Sequence, residues 1–360
     1  MVKEVVIIGA GLSGLTTAYE LKKKGIKDVL IVEASNRIGG RMQSTQIGQN
    51  GYLEMGATWL GEKHTYLNEL LKELNVGIFE QYRQGKSCYQ FGPSYPLQHF
   101  IVPEEEPPHF RIQNGSESLI QRLYESSGVE VKLNTKVVSV KDEQSHVALH
   151  FEDGSTLDAV LVINTIPPKL TLHAIDFSPA LGEALQNAMD TTHTWMSNAL
   201  KFAVVYEHPF WKEKGFSGMA MSQSGPVQEL HDHTNYQENF FALKGFFSSD
   251  VARVTKPEQR EEIIVDWIAA LMGEEAKKYV TYQEKDWFVE PLTSTQDSNH
   301  PQFHPQYGHP LFQAPLMEGK FWFSGTETAE WYGGYMEGAV YAGLTAAKRI
   351  LHSVAAQKDN

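Results

Sequence analysis

Cysteine is nearly absent: Cys88 stands alone among 360 residues. A single thiol excludes an internal disulfide and any thiolate-built metal cluster, and it suits a reducing compartment. Long apolar runs are missing as well. None approaches the roughly 18–20 residues of a membrane-spanning helix, and the N-terminus enters a short strand pattern without the layout of a signal peptide. The expectation is a cytoplasmic protein without a membrane anchor. Cations are in deficit, with 31 Lys and Arg against 44 Asp and Glu, for a formal charge of −13. That balance argues against nucleic acid or an anionic membrane as the main partner. What is present is apolar (41%) and aromatic (11%) content of globular proportion. The length favours two domains over one.

The first 33 residues carry a recognisable unit. "KEVVIIGAGLSGLTTAYELKKKG" reads as a buried strand, a glycine turn and a helix with Leu12, Leu15, Ala18 and Leu21 on one face. "DVLIVEA" follows as a second strand, apolar throughout as in a covered parallel sheet. "LNELLKELNVG" is an amphipathic helix stopped near Gly77. Residues 79–111 are aromatic and Pro-rich, with Tyr82, Tyr89, Phe91, Tyr95 and Phe100 needing somewhere to pack. From "VEVKLN" to "VINTIPP" the alternation and the Asp153-Gly154 turn predict an antiparallel meander. Strands and one strong helix, "PEQREEIIVDWIAALMG", fill 190–289. Near the end, "GGYMEGAVYAG" opens a helix whose free N–H groups and dipole suit an electron-rich partner.

Gly9, Gly11 and Gly14 form a G-x-G-x-x-G between strand and helix: a tight turn, a close backbone approach for a pyrophosphate, and close helix–strand packing. Glu33, about 20 residues on, is placed to accept both ribose hydroxyls and to repel a 2′-phosphate. Leu12 and Ser13 belong to the same cradle. "RIGGRM" then brackets two glycines with Arg37 and Arg41, either as a solvated basic turn or as a second clamp on the diphosphate.

Together, "GAGLSGL", "EASNRIGGRM" and "EMGATWLG" resemble the FAD-binding start of the flavin-containing amine oxidase family, which includes monoamine oxidases, polyamine oxidases and L-amino-acid oxidases. The resemblance extends through "RIQNGSESLIQRL", "VINTIPP", "ALKFAVVYEHPFWKEKGFSG" and "FWFSGTETAEWYGGYMEGAVYAG". It implies a Rossmann-type α/β FAD-binding domain, with a parallel sheet and a small antiparallel meander, and a smaller α+β substrate domain on an antiparallel sheet. The expected boundaries are 1–78, 111–190 and 290–354 for the FAD domain, 79–110 and 191–289 for the substrate domain, and a tail at 355–360. The resemblance also implies cofactor contacts from Ala34, Gly56, Ala57, Thr58, Trp59, Val137, Trp287, Gly325, Glu327, Tyr335 and Met336, with Glu327 near the ribityl-pyrophosphate portion. "GGYMEGA" would meet the pyrimidine end of the flavin.

Three residues are candidates for chemistry. Lys201 is the one charge in the strand "ALKFAVVY"; such an ammonium either finds buried partners and loses basicity, or snorkels out at a sheet edge. By resemblance it holds a water near the flavin, associated with reoxidation by O2 and with imine hydrolysis. Tyr335 corresponds to one wall of an aromatic substrate cage, the alternative being a tyrosine packed at a helix start; Trp331 and Tyr332 add aromatic surface beside it.

The chain also departs from the pattern. Counting from Trp287, the second cage tyrosine falls near Asp297 and the covalent flavin cysteine near Gln296, so non-covalent FAD and a half-aromatic, half-acidic pocket are expected. The stretch between the helix near 75 and "NGSES" is under 40 residues, where the family inserts a helical subdomain, which suggests a shallower cavity. His231, His233, His300, His304 and His309 read as exposed loop residues, with no metal site. The leading reading is an FAD-dependent oxidoreductase acting on a small amine or amino acid, with O2 reoxidation and peroxide release. A flavin-dependent desaturase or oxidase of an apolar substrate, and a non-catalytic FAD-binding protein, are the alternatives.

Overall fold

The computed structural model describes residues 2–92, 94–296 and 307–358. Strand Lys3–Ile8, apolar and buried over Val5–Ile8, lies between Val29–Val32 on one side and Thr156–Asn164 on the other, parallel to both. A parallel crossover needs a helix to return the chain, and helix Leu12–Lys23 does this with Leu12, Leu15, Ala18 and Leu21 all buried. Phe321–Phe323 adds to the far end of Thr156–Asn164, again in parallel. Helix Met336–Lys358 packs on helix Leu12–Lys23, which brings the two ends of the chain together over one core.

Val137–Asp142, Val147–Phe151 and Thr156–Asn164 form the expected antiparallel meander, turned at Asp153-Gly154 where Gly154 has φ +83°. Glu130–Lys132 is a correction: it leaves the meander and pairs in parallel with Val29–Val32, closing the sheet edge. At three residues, with Val131 alone turned inward between Glu130 and Lys132, it is too short for its sequence to show which sheet neighbour it joins.

A second, seven-stranded sheet runs Thr281–Asp286, Leu200–Tyr206, Phe241–Phe247, Val227–Asp232, Phe216–Ser222, Lys86–Gln90 and Gln98–Phe100. Alternation splits strand Leu200–Tyr206 between two cores. Phe202, Val204 and Tyr206 pack with Ile264 and Ile268 of helix Pro257–Met272. Ala203 and Val205 pack with Leu53 and Met55 on the opposite side. Of the aromatic excursion, Phe91 (44% exposed) and Tyr95 (66%) do not reach a core and instead meet each other at 6.2 Å between centroids. Among the described residues no helix is long and apolar enough to cross a membrane.

Candidate active site

The carboxyl ends of Lys3–Ile8 and Val29–Val32, the start of helix Leu12–Lys23, and the face of the seven-stranded sheet enclose one cavity of about 970 Å³. Its wall runs from Glu33, Ala34 and Val137 at one end to Lys201, Trp287 and Tyr335 at the other. Gly9, Gly11, Leu12, Ser13, Arg41, Gly56, Ala57, Thr58, Trp59, Gly325 and Met336 line it between. Gly14 and Glu327 stand behind the wall. A Cβ on Gly14 would lie 2.1 Å from the Gly9 carbonyl oxygen, so it serves helix–strand packing, with Gly9 itself at φ +103°. A Cβ on Gly11 would meet nothing within 4 Å, so the chain leaves space there that a ligand can fill.

Helix Leu12–Lys23 starts without a side-chain cap and without an acidic residue in its first turn. Its free N–H groups and positive dipole end therefore face the cavity, as a diphosphate requires. Glu33 is fixed by accepting the Ala10 N–H at 2.7 Å and the Ser35 N–H at 2.8 Å. Its remaining lone pairs are free to accept hydroxyls. Arg37 also lines the cavity, and its guanidinium donates to the Ile38, Gly40 and Met42 carbonyls and ties its own loop. Arg41 is held in a two-point bond to the fully buried Glu327 at 2.6 and 2.9 Å, and it also donates to the Trp195 carbonyl. The long shape, the open Gly11 and the donor set fit a dinucleotide such as FAD.

At the other end, Lys201 is 5% exposed and donates to the Gly56 carbonyl at 2.5 Å, with its ammonium 4.8 Å from the Phe246 ring centre. Burial pushes its pKa down to about 8, against the pull of Glu54 and Glu229. It does not snorkel. Tyr335 sits at the entrance of helix Met336–Lys358, its carbonyl accepting from the Thr326 hydroxyl at 2.8 Å, so "GTET" holds "GGYMEGA" in place. Tyr335 is 44% exposed and lines the cavity, its ring centre 5.8 Å from that of Trp195 and 6.2 Å from that of Tyr332. Trp331, 56% exposed, does not line the cavity and packs on Tyr332 at 5.5 Å between ring centres. Asp297, His300 and His304 lie outside the described residues.

Several wall residues escaped the sequence reading. Trp195 and His64 stand beside Tyr335, with ring centres 5.8 and 6.1 Å from its own. Phe246 and Glu229 line the cavity in the same sheet row as Lys201, and Lys285 and Glu290, also in the wall, form a 2.7 Å ion pair. Lys244 is wholly buried, its amine against the Thr58 hydroxyl and 4.6 Å from the Trp59 ring centre. Its signal was available: "FALKGFF" repeats the lone-lysine pattern of "ALKFAVVY". His231 and His233 are a correction. His231 bonds Glu229 at 2.5 Å, and His233, 2% exposed, sits between the Glu54 N–H and Arg111, because both belong to or follow a central strand. Among the described residues no cluster suited to a metal ion is found.

The family description "Flavin containing amine oxidoreductase" matches residues 12–92 and 94–351. A probable flavin-containing monoamine oxidase A of Dictyostelium discoideum is 25% identical, covering 96% of this chain and 97% of its own. The flavin-containing amine oxidase B of Homo sapiens is 25% identical over 98% of this chain and 86% of its own. The first alignment runs over 450 positions against 360 residues here, so at least 90 have no counterpart in this chain. Two solved structures share the fold at TM-score 0.85. A putrescine oxidase bound to putrescine is 24% identical, covering 98% of this chain and 99% of its own. The cyclohexylamine oxidase of Brevibacterium oxydans IH-35A is 20% identical, covering 98% and 100%.

Proposed function

The chain belongs to the family of flavin-containing amine oxidoreductases, and from that premise we propose that it oxidises small aliphatic amines bearing a second cationic group, with O2 as electron acceptor. It is an FAD-dependent oxidoreductase. Two electrons and two protons leave the carbon–nitrogen unit to give an imine; O2 takes them as hydrogen peroxide, and water hydrolyses the imine to an aldehyde and ammonia or a shorter amine. Bound FAD supplies the two-electron redox chemistry.

The observation that carries the substrate class is Glu229, a carboxylate of the cavity wall in the same sheet row as Lys201, with Phe246 between them. Burial favours its neutral form, but the bond from His231 and the nearby Lys244 and Lys201 hold its carboxyl below the usual range. A charged carboxylate in a partly dry wall selects an ammonium group. The putrescine oxidase of the same fold binds a diamine, which agrees with this reading. Tyr335 and Trp195 flank the path of the reacting amine, orienting it and excluding water. Lys201 Nζ, neutral above about pH 8, holds a water at the reacting end; its link to oxygen reduction and imine hydrolysis rests on the family resemblance.

FAD is held without a covalent link: the lone Cys88 is buried among the second sheet's core residues and does not line the cavity. Gly9–Gly14 and Glu33 take the adenosine diphosphate, and Gly325, Tyr335 and Met336 the flavin end. The parallel sheet with its meander forms the cofactor domain (1–78, 111–190, 290–354), and the seven-stranded sheet forms most of the substrate domain (79–110, 191–289). The negative charge and single thiol support a cytoplasmic setting. The test is peroxide release across diamines, polyamines, monoamines and amino acids. Turnover of putrescine or spermidine at least tenfold more efficient than that of a monoamine of equal length supports the reading; equal efficiency, or preference for amino acids, overturns the substrate class.

A further inference from the structure

The register of the seven-stranded sheet places two lysines on one face. Lys201 lies opposite Lys285 on one neighbouring strand and Phe246 on the other, and Phe246 lies opposite Glu229. The next row on that face is Gln283, Ala203, Lys244 and His231. Residues directly opposite share a face, and diagonal neighbours are within reach of long side chains. Lys201 and Lys244 are such a diagonal pair, and both amines turn to one chain segment. Lys201 donates to the Gly56 carbonyl at 2.5 Å, Lys244 meets the Thr58 hydroxyl, and that hydroxyl donates to the Gly56 carbonyl at 3.2 Å. Both side chains are buried, at 5% and 0% exposure.

The charges around them do not balance. Glu54 comes from strand Gly51–Glu54, where Ser116 and Ser44 already donate to it, and Glu229 comes from strand Val227–Asp232 with His231 bonded to it. Lys285 is matched by Glu290 at 2.7 Å. Asp232 is taken by Lys212, Trp211 and Thr234. Arg111, from strand His109–Ile112, stays charged even though burial pulls its pKa down to about 10. His233 is kept neutral by burial and by Arg111. Lys201, Lys244 and Arg111 therefore face two carboxylates. A dry site does not hold an unmatched ammonium when releasing a proton removes the charge. Burial and the neighbouring Lys201 hold Lys244 well below the ordinary lysine range, in line with this count.

We propose that Lys244 is a positioning residue for Lys201: the two amines form a buried dyad, joined through Thr58 and Gly56, that carries one positive charge between them at neutral pH. The dyad fixes the Gly56–Trp59 turn of the cavity wall, with the uncharged amine at Lys244 behind that wall and the charged one at Lys201 in it. The charge on one amine then disfavours a charge on the other, so the two ionisations are linked. This rests on the proposed role of Lys201, but its test does not.

The side-chain Nζ chemical shifts of the holoenzyme, labelled selectively at lysine, report each amine's charge; Lys201→Met and Lys244→Met assign them. At neutral pH the wild type should show one buried amine neutral and one charged, or both exchange-averaged between the states. In Lys201→Met the Lys244 signal should move to the charged position. The pH dependence of the Lys201-dependent step should show two ionisations in the wild type and one in Lys244→Met. Two fully charged amines in the wild type, or a Lys244 signal that does not move in Lys201→Met, overturns the dyad. Should Lys244→Met not fold, the wild-type and Lys201→Met spectra still decide. A dyad seen in a protein that oxidises no amine would sink the functional reading and leave the dyad standing.

Discussion

Glu327→Gln gives a sharp test of how the cofactor cradle is built. Glu327 is fully buried and bonded at two points to Arg41, 286 residues earlier in the chain, so one ion pair joins the first and last parts of the cofactor wall. Opposite charges with centres about 4 Å apart attract by about 4 kcal/mol at an effective dielectric near 20. Removing one partner of a buried pair costs about 3–5 kcal/mol, largely because the other charge is left unmatched. Arg41 keeps 26% of its side chain exposed, so water relieves part of that loss. Gln also retains an acceptor for one guanidinium N–H and for the Trp195 N–H, which now bonds Glu327 at 3.3 Å. The expected loss is about 2–3 kcal/mol, read by urea unfolding of the apoprotein. Arg41 lines the cavity beside Gly11, so a bound diphosphate supplies a replacement anion. The loss should shrink when both proteins are saturated with FAD. The double variant Arg41→Gln/Glu327→Gln should recover at least about 1.5 kcal/mol relative to additivity. A loss below about 0.5 kcal/mol, or strict additivity, would refute the reasoning.

Other consequences are as direct. Gly11→Val should leave the apoprotein's unfolding midpoint nearly unchanged, since the added atoms enter open space, yet lower FAD affinity at least a hundredfold by fluorescence titration. Gly14→Ala should do the reverse, destabilising the apoprotein by about 1–3 kcal/mol because its Cβ meets backbone. Lys201→Met should keep FAD bound at full stoichiometry and slow reoxidation by O2 at least tenfold in stopped flow. Because burial lowers the Lys201 pKa to about 8, the amine is free above that value and charged below it. The wild-type oxygen step should therefore rise with pH through an ionisation that the variant lacks. Glu229→Gln should raise KM for putrescine at least tenfold and leave KM for a monoamine within twofold.

The parts of this molecule legible in the sequence are those whose physics is local. Gly9, Gly11, Gly14 and Glu33 declare the cradle because a turn, a helix start and a strand end sit within 25 residues. Lys201 was visible because a charge inside an apolar alternation demands an account. What escaped is set by register. Phe246 and Glu229 reach the cavity only because their strands pair in one particular alignment with Leu200–Tyr206. Trp195 reaches Tyr335 from an irregular segment with no periodicity to read. His231 and His233 read as loop residues because Asp232 and Asn235 beside them are poor strand formers. Tertiary pairing with Phe241–Phe247 overrode that preference.

The measurement that bears most directly on the central claim is anaerobic mixing of the FAD-loaded protein with diamines, polyamines, monoamines and amino acids, following the loss of oxidised-flavin absorbance. The account predicts rapid bleaching by diamines or polyamines, stoichiometric with bound FAD, and slow or weak bleaching by amino acids. A flavin that no amine reduces, while dithionite still reduces it, would contradict it.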